Sequence, residues 1–163
     1  QGLSLHRRHR CGARRVKKIA TLIIPALLCA APGFSQERTP HTNYVLRCAG
    51  CHGMSGSGAP AAGIFDFNGM VGAFAGIDEG RTYLMHVPGV AGSGLSDAEI
   101  AAVMNYVMKT WAGDSLPEPY EPFTQAEVTA RRAIPIPDVV ENRREVVALL
   151  EAQGIETADY PWP

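Results

Sequence analysis

An all-α fold is what this 163-residue sequence predicts. Three observations carry that reading. Ile100, Val103, Met104, Val107 and Trp111 recur at the spacing of one helical face. Ser96 and Glu99 bracket the start of that segment as a capping box. No internal repeat and no convincing strand run interrupts the remaining segments, which Gly and Pro clusters cut into short pieces.

Residues 1–35 read as a secretory signal rather than as part of the fold. Arg7, Arg8, Arg10, Arg14, Arg15, Lys17 and Lys18 come first, with no acid among them. An apolar run from Ile19 to Ala31 follows, then small residues around Gly33 and Ser35, the order of an export signal. The run is about 13 residues, short of the ~20 that span a bilayer, so cleavage near Ser35 is expected, with no stable membrane insertion afterwards and a periplasmic location. An uncleaved anchor is the competing reading. Cleavage removes Cys11 and Cys29 and leaves Cys48 and Cys51. It also leaves eight Lys and Arg against all 16 Asp and Glu, a net charge of −8. A nucleic-acid partner needs a basic face, so that class is excluded. A redox partner with a basic docking surface suits the charge.

The elements follow in order. Pro40 suits a first helical turn, with Thr39 as its cap, so a helix is expected from Pro40 to Cys51. Residues 53–63 are rich in Gly and Ser and form a loop, expected to let backbone pass close to a bound group. A short helix is expected over Asp78–His86, ended by Val87, Pro88 and Gly89. The helix over Asp97–Trp111 stops at Gly113. Residues 116–122 form a proline-stiffened strap. Thr124 and Glu127 form a second capping box for a helix to Arg132, which Pro135 and Pro137 end. Asp138 and Glu141 open a last helix, with Val139, Val146, Val147 and Leu150 on its buried face. Arg131–Arg132 and Arg143–Arg144 are expected on solvated faces, and Trp111 and Met104 in the core. One domain is expected over 36–115, with 116–163 as a proline-rich and helical extension packed on it. Aromatic and long aliphatic residues are modest in number for that length, so an apolar cofactor would complete the core.

Cys48-Ala49-Gly50-Cys51-His52 identifies that cofactor. Two thiols two residues apart on a helical turn reach the two vinyl groups of one porphyrin, and the adjacent imidazole reaches the iron. The pentapeptide reads as a covalent attachment site for one haem c. A zinc site shares the Cys-x-x-Cys spacing but needs two further ligands. Arg81 and Tyr83 are candidates to bond a haem propionate.

From Cys48 to Trp111 the chain resembles the class I c-type cytochromes. The resemblance rests on the pentapeptide with Gly53, on the glycine loop with Pro60, and on the helix that begins Leu95-Ser96-Asp97-Ala98-Glu99. It implies cytochrome c-like helices wrapped around one haem. It also implies a Pro60 carbonyl bonded to the second nitrogen of His52, and a distal methionine in the loop before the last helix. Val87–Leu95 holds no methionine. Met85, 11 residues before Ser96, is the first candidate for the sixth ligand, with His86 and Met70 as alternatives and an open sixth position as the remaining reading. The implied activity is one-electron transfer, not catalysis, from a periplasmic dehydrogenase toward an oxidase or another cytochrome. Two rivals stay open: a tightly bound haem subunit of a dehydrogenase complex, and an open-site haem enzyme or gas sensor.

Overall fold

The computed structural model describes residues 38–161. The expected signal and its cleavage point near Ser35 lie outside the described residues. Among the described residues, seven helices carry the fold: α1 (Pro40–Arg47), α2 (Ala49–His52), α3 (Asp78–His86), α4 (Pro88–Ala91), α5 (Asp97–Trp111), α6 (Gln125–Arg132) and α7 (Val139–Glu151). Short 3₁₀ turns at Pro60–Ala62, Val71–Gly76 and Gly113–Ser115 link them. Extended pairing among the described residues is limited to one bridge between Ala59 and Ile64.

Local chemistry accounts for the helix ends. The Thr39 hydroxyl accepts from the Thr42 amide at 3.1 Å, and Pro40 opens α1. The expected single helix to Cys51 is broken at Cys48, whose φ of −120° and ψ of −41° start a new turn. At α5, Ser96 Oγ accepts from the Glu99 amide, and the Glu99 carboxylate accepts from the Ser96 amide at 3.0 Å. Only half of the second capping box forms. Thr124 accepts from the Glu127 amide, but the Glu127 carboxylate turns to arginines instead. Where Pro88 and Gly89 were expected only to turn the chain, they open the extra helix α4.

The core gathers on α5. Its C-terminal half packs its rings beside α1, where Tyr44 lies 4.6 Å from the Trp111 ring and 5.8 Å from that of Tyr106. The Tyr44 hydroxyl donates to the Gly53 carbonyl at 2.6 Å, tying α1 to the loop that follows α2. Burial, with Cys48 and Tyr106 adding to it, pushes this phenol up to about 12, so it stays a neutral donor. The strap is fastened from mid-α5. Asn105 Oδ1 accepts from the Tyr120 hydroxyl at 2.7 Å and the Phe123 amide at 2.8 Å, and its amide donates to the Phe123 carbonyl. On the other side, α3 packs on the buried turn Val71–Gly76. Gly80 permits that approach, since a Cβ there would sit 2.3 Å from the Phe74 carbonyl oxygen.

Arg132 is exposed, as expected, while Arg131 is largely covered. Arg131 bonds Asp78 at 2.7 Å and Glu127 at 2.8 Å, and Arg132 pairs with Asp97. Glu127 also takes the Arg81 fork through two bonds of 2.6 and 2.7 Å. These pairs pin α6 to α3 and α5. Burial pushes the Glu127 carboxyl up, but the bonds from Arg81 and Arg131 outweigh it and hold the group below its usual range. Arg131 holds Asp78 down as well. Carboxylates with depressed folded values contribute stability that is complete above the ordinary range near ~4 and is lost as pH falls through the folded values. Thermal stability is therefore expected to hold from neutral pH to about 5 and to fall steeply below ~4. Glu127→Gln should lose about 2 kcal/mol at pH 7, between exposed and buried pairs, and flatten the acid limb. Melting curves across pH check both effects.

Candidate haem site

The attachment motif opens onto a cavity of about 360 Å³ walled mainly by apolar side chains. That volume is in the range of cofactor sites, ~300–1,000 Å³. Cys48, Cys51 and His52 line one side. Tyr83 and Leu84 of α3 with Val87–Val90 line another, Ile100, Val103, Met104 and Val107 of α5 a third. The extension supplies the rest through Val139, Val140, Arg143 and Tyr160. Cys51, Arg47, Pro88 and Gly89 are exposed and mark the mouth.

His52 is held by rings. It stacks on Phe67 with centroids 4.0 Å apart and meets Phe65 edge-on at 5.9 Å. Burial lowers its pKa, opposed in part by the Phe65 backbone, so the imidazole is neutral at neutral pH, the form that binds a metal. Its Nδ1 is buried and makes no hydrogen bond of standard geometry, although the Phe65 backbone is near enough to raise the ring's basicity. Gly58 makes this corner possible. Its φ is +62°, and a Cβ there would lie 2.4 Å from the Ile64 carbonyl oxygen and 2.5 Å from that of Phe65. Gly58 thus closes the loop on the backbone of Ile64 and Phe65, while Gly63 lines the cavity. Burial and then Cys51 push the Cys48 thiol up, opposite to the depressed thiol of a redox Cys-x-x-Cys. Among the described residues no three or more His, Cys, Asp or Glu gather as a metal set, which leaves a zinc site short of ligands.

The other expected site residues divide. Tyr83 lines the cavity, with its hydroxyl 3.4 Å from an Arg143 nitrogen. Arg81 does not reach it. Its guanidinium is committed to Glu127 and the Ala75 carbonyl, and lies 3.9 Å over the Phe123 ring. Pro60 is exposed and off the wall, and its carbonyl accepts from the Gly63 amide at 2.9 Å instead of from His52. Met85 is 1% exposed but not on the cavity wall. Tyr83 and Leu84 set the cavity face of α3, and Met85 points about 150° away around the helix at 3.6 residues per turn. His86 and Met70 are off the wall too, and His86 Nδ1 bonds the Thr82 carbonyl at 2.9 Å.

Arg143 was expected in solvent and is 1% exposed. Its guanidinium lies 4.7 Å from the Phe65 centroid, 5.1 Å from that of Phe74 and 4.9 Å from that of Tyr160, and it donates to the Ala158 carbonyl at 3.1 Å. A periodicity signal was present: 139, 143, 146, 147 and 150 share one helical stripe, and Arg143 sits on it. These residues fit a haem. Two thiols and a neutral imidazole converge on an apolar cavity, and a buried cation on the wall suits a propionate.

No family model matches the sequence. Two curated proteins are similar to it, both named cytochrome c-552 and both from Thermus thermophilus. One is 33% identical over 122 residues, which is 62% of this chain and 80% of that protein. The other is 33% identical over 108 residues, 53% of this chain and 79% of that protein.

Proposed function

Because the chain belongs to the c-type cytochromes, we propose that it carries one haem c, bound through Cys48 and Cys51 with His52 on the iron, and serves as a one-electron carrier. The observation that carries this reading is the convergence of both thiols and the neutral His52 imidazole on one apolar cavity. The bound haem would supply the one-electron iron couple. The chain's residues do the rest. Cys48 and Cys51 anchor the group, and the rings of Phe65 and Phe67 hold the His52 plane. Arg143 and Tyr83 take a propionate, in place of the Arg81 and Tyr83 pair. The apolar wall disfavours the extra charge of ferric iron and so raises the potential. The exposed edge at Cys51, Pro88 and Gly89 is where electrons enter and leave.

The carrier works in the periplasm, taking electrons from a dehydrogenase and passing them to an oxidase or another cytochrome. Among the described residues no helix is long and apolar enough to cross a membrane. The test is a spectroscopic redox titration of the purified protein. A single Nernst step of one electron supports the reading, and a spectrum indifferent to applied potential sinks it. The net charge of −8 beyond residue 35 adds an expectation for the partner reaction. Its rate should fall as salt rises and screening shortens to about 8–10 Å, with the haem spectrum unchanged. Stopped-flow mixing at several ionic strengths reads this, and a salt-independent rate would point to apolar docking.

A further inference from the structure

We infer that Tyr160, in the segment after α7, is a positioning residue for the haem: its ring holds Arg143 in the cavity wall, keeps water from that wall and so sets the reduction potential. The inference deepens the haem reading above and rests on it. It starts from how the chain returns after α7. Gly154 has a φ of +74°, the left-handed conformation that glycine adopts freely. The chain reverses there, and the Ile155 amide donates back to the Leu150 carbonyl at 3.0 Å. The returning segment then reaches Arg143, about two turns before Leu150 on α7. The Ala158 carbonyl accepts from the Arg143 guanidinium at 3.1 Å.

Tyr160 is where this segment meets the cavity. Its ring centroid lies 4.9 Å from the guanidinium carbon of Arg143. It also meets Gly63, in the loop that follows His52. A Cβ on Gly63 would lie 3.6 Å from the Tyr160 ring and 3.8 Å from a Pro161 carbon. Gly63 lines the same cavity, so Tyr160 spans from α7 to that loop. The rings of Phe65 and Phe74 complete the setting of Arg143, at 4.7 and 5.1 Å. The charged residues on the wall are Arg47 and Arg143, with no carboxylate. Arg47 is exposed and Arg143 is not, so Arg143 is the charge that acts from within the wall. A charge acts more strongly there than in water. As a cation it favours ferrous iron, which has one positive charge fewer than ferric. Without the Tyr160 ring, water would screen the guanidinium and stabilise the ferric charge. Both effects lower the potential.

The experiment uses the full chain, exported and loaded with haem. A haem stain on a denaturing gel tests the haem reading by itself, and absence of stain would overturn both. With haem attached, Tyr160→Ala is expected to lower the midpoint potential in a spectroscopic redox titration. Tyr160→Phe keeps the ring and should recover most of the difference. Tyr160→Ala added to Arg143→Ala should shift the potential by less than it does alone, because the two act through one contact. Melting curves of the same variants separate this role from plain stability. A Tyr160→Ala protein whose potential is unchanged or raised would overturn the inference, however far its melting point falls. So would a shift fully additive with that of Arg143→Ala, or a Tyr160→Phe potential as low as that of Tyr160→Ala.

Discussion

A chain carrying both Cys48→Ser and Cys51→Ser, freed of any loosely held haem, is expected to lose cooperative unfolding. The reason is the size of the cavity relative to the stability of a small domain. Unfilled apolar space costs about 24 cal/mol per Å³. For a cavity of about 360 Å³ that amounts to roughly 9 kcal/mol. Whole domains are stable by only ~5–15 kcal/mol. The walls come from α3, α5 and α7 and from the turn after α3, so no single helix can collapse to fill the space. The haem-free chain should keep far-ultraviolet circular dichroism, because the caps of α1, α5 and α7 are local. It should lose the near-ultraviolet signal of the ring cluster around His52 and Phe67 and bind a hydrophobic dye. A sharp melt within a few degrees of the intact protein would contradict this.

Arg143→Ala is expected to have the second largest effect, a loss of about 3 kcal/mol in the loaded protein. The guanidinium is buried against Phe65, Phe74, Tyr83 and Tyr160 and bonded to the Ala158 carbonyl. Desolvated cation–π contacts are worth up to ~2 kcal/mol, and a bond to a charged group adds ~1.5–3. Truncation also opens space beside the cavity. Arg143→Lys should recover less than half, because an ammonium cannot present the planar fork. Arg144→Ala is the control. That residue is 43% exposed at the side chain, and its pair with Glu141 is on the surface, so its loss should stay within ~0.5 kcal/mol. Denaturant melts of the three variants decide the matter, and a loss below about 1 kcal/mol for Arg143→Ala would mean the extension is not part of the site.

Much of this architecture was legible where its causes are local. The helix over Asp97–Trp111 agrees with expectation because its capping box and apolar periodicity act within a few residues, and that over Asp78–His86 because Pro88 stops it locally. What the sequence does not carry is long-range geometry. Met85 lies off the cavity wall because its phase relative to the cavity is fixed by how α3 packs. Pro60 has a suitable offset from His52, but Gly58 bends the loop so that Phe65 comes to the imidazole instead. Arg131 looks like a surface cation, and Arg81 like a propionate partner, until α6 is laid beside α3, where Asp78 and Glu127 pair with them. Arg143 lies on the apolar stripe of α7, but arginine is seldom buried, so its type points to solvent while its position points to the core. Asn105 gives no sequence signal for its role. Its three bonds to the strap exist only once Tyr120 and Phe123 fold back.

The central claim is covalent haem on Cys48 and Cys51, and the intact mass of the denatured protein tests it most directly. The protein should be made with export and haem attachment available, unfolded in acid, extracted with organic solvent and weighed. The account predicts the mass of the processed chain plus one haem. It also predicts that digestion will place the added mass on the peptide that contains Cys48, Cys51 and His52. A polypeptide that sheds its haem, or that carries two free thiols at Cys48 and Cys51, would contradict it.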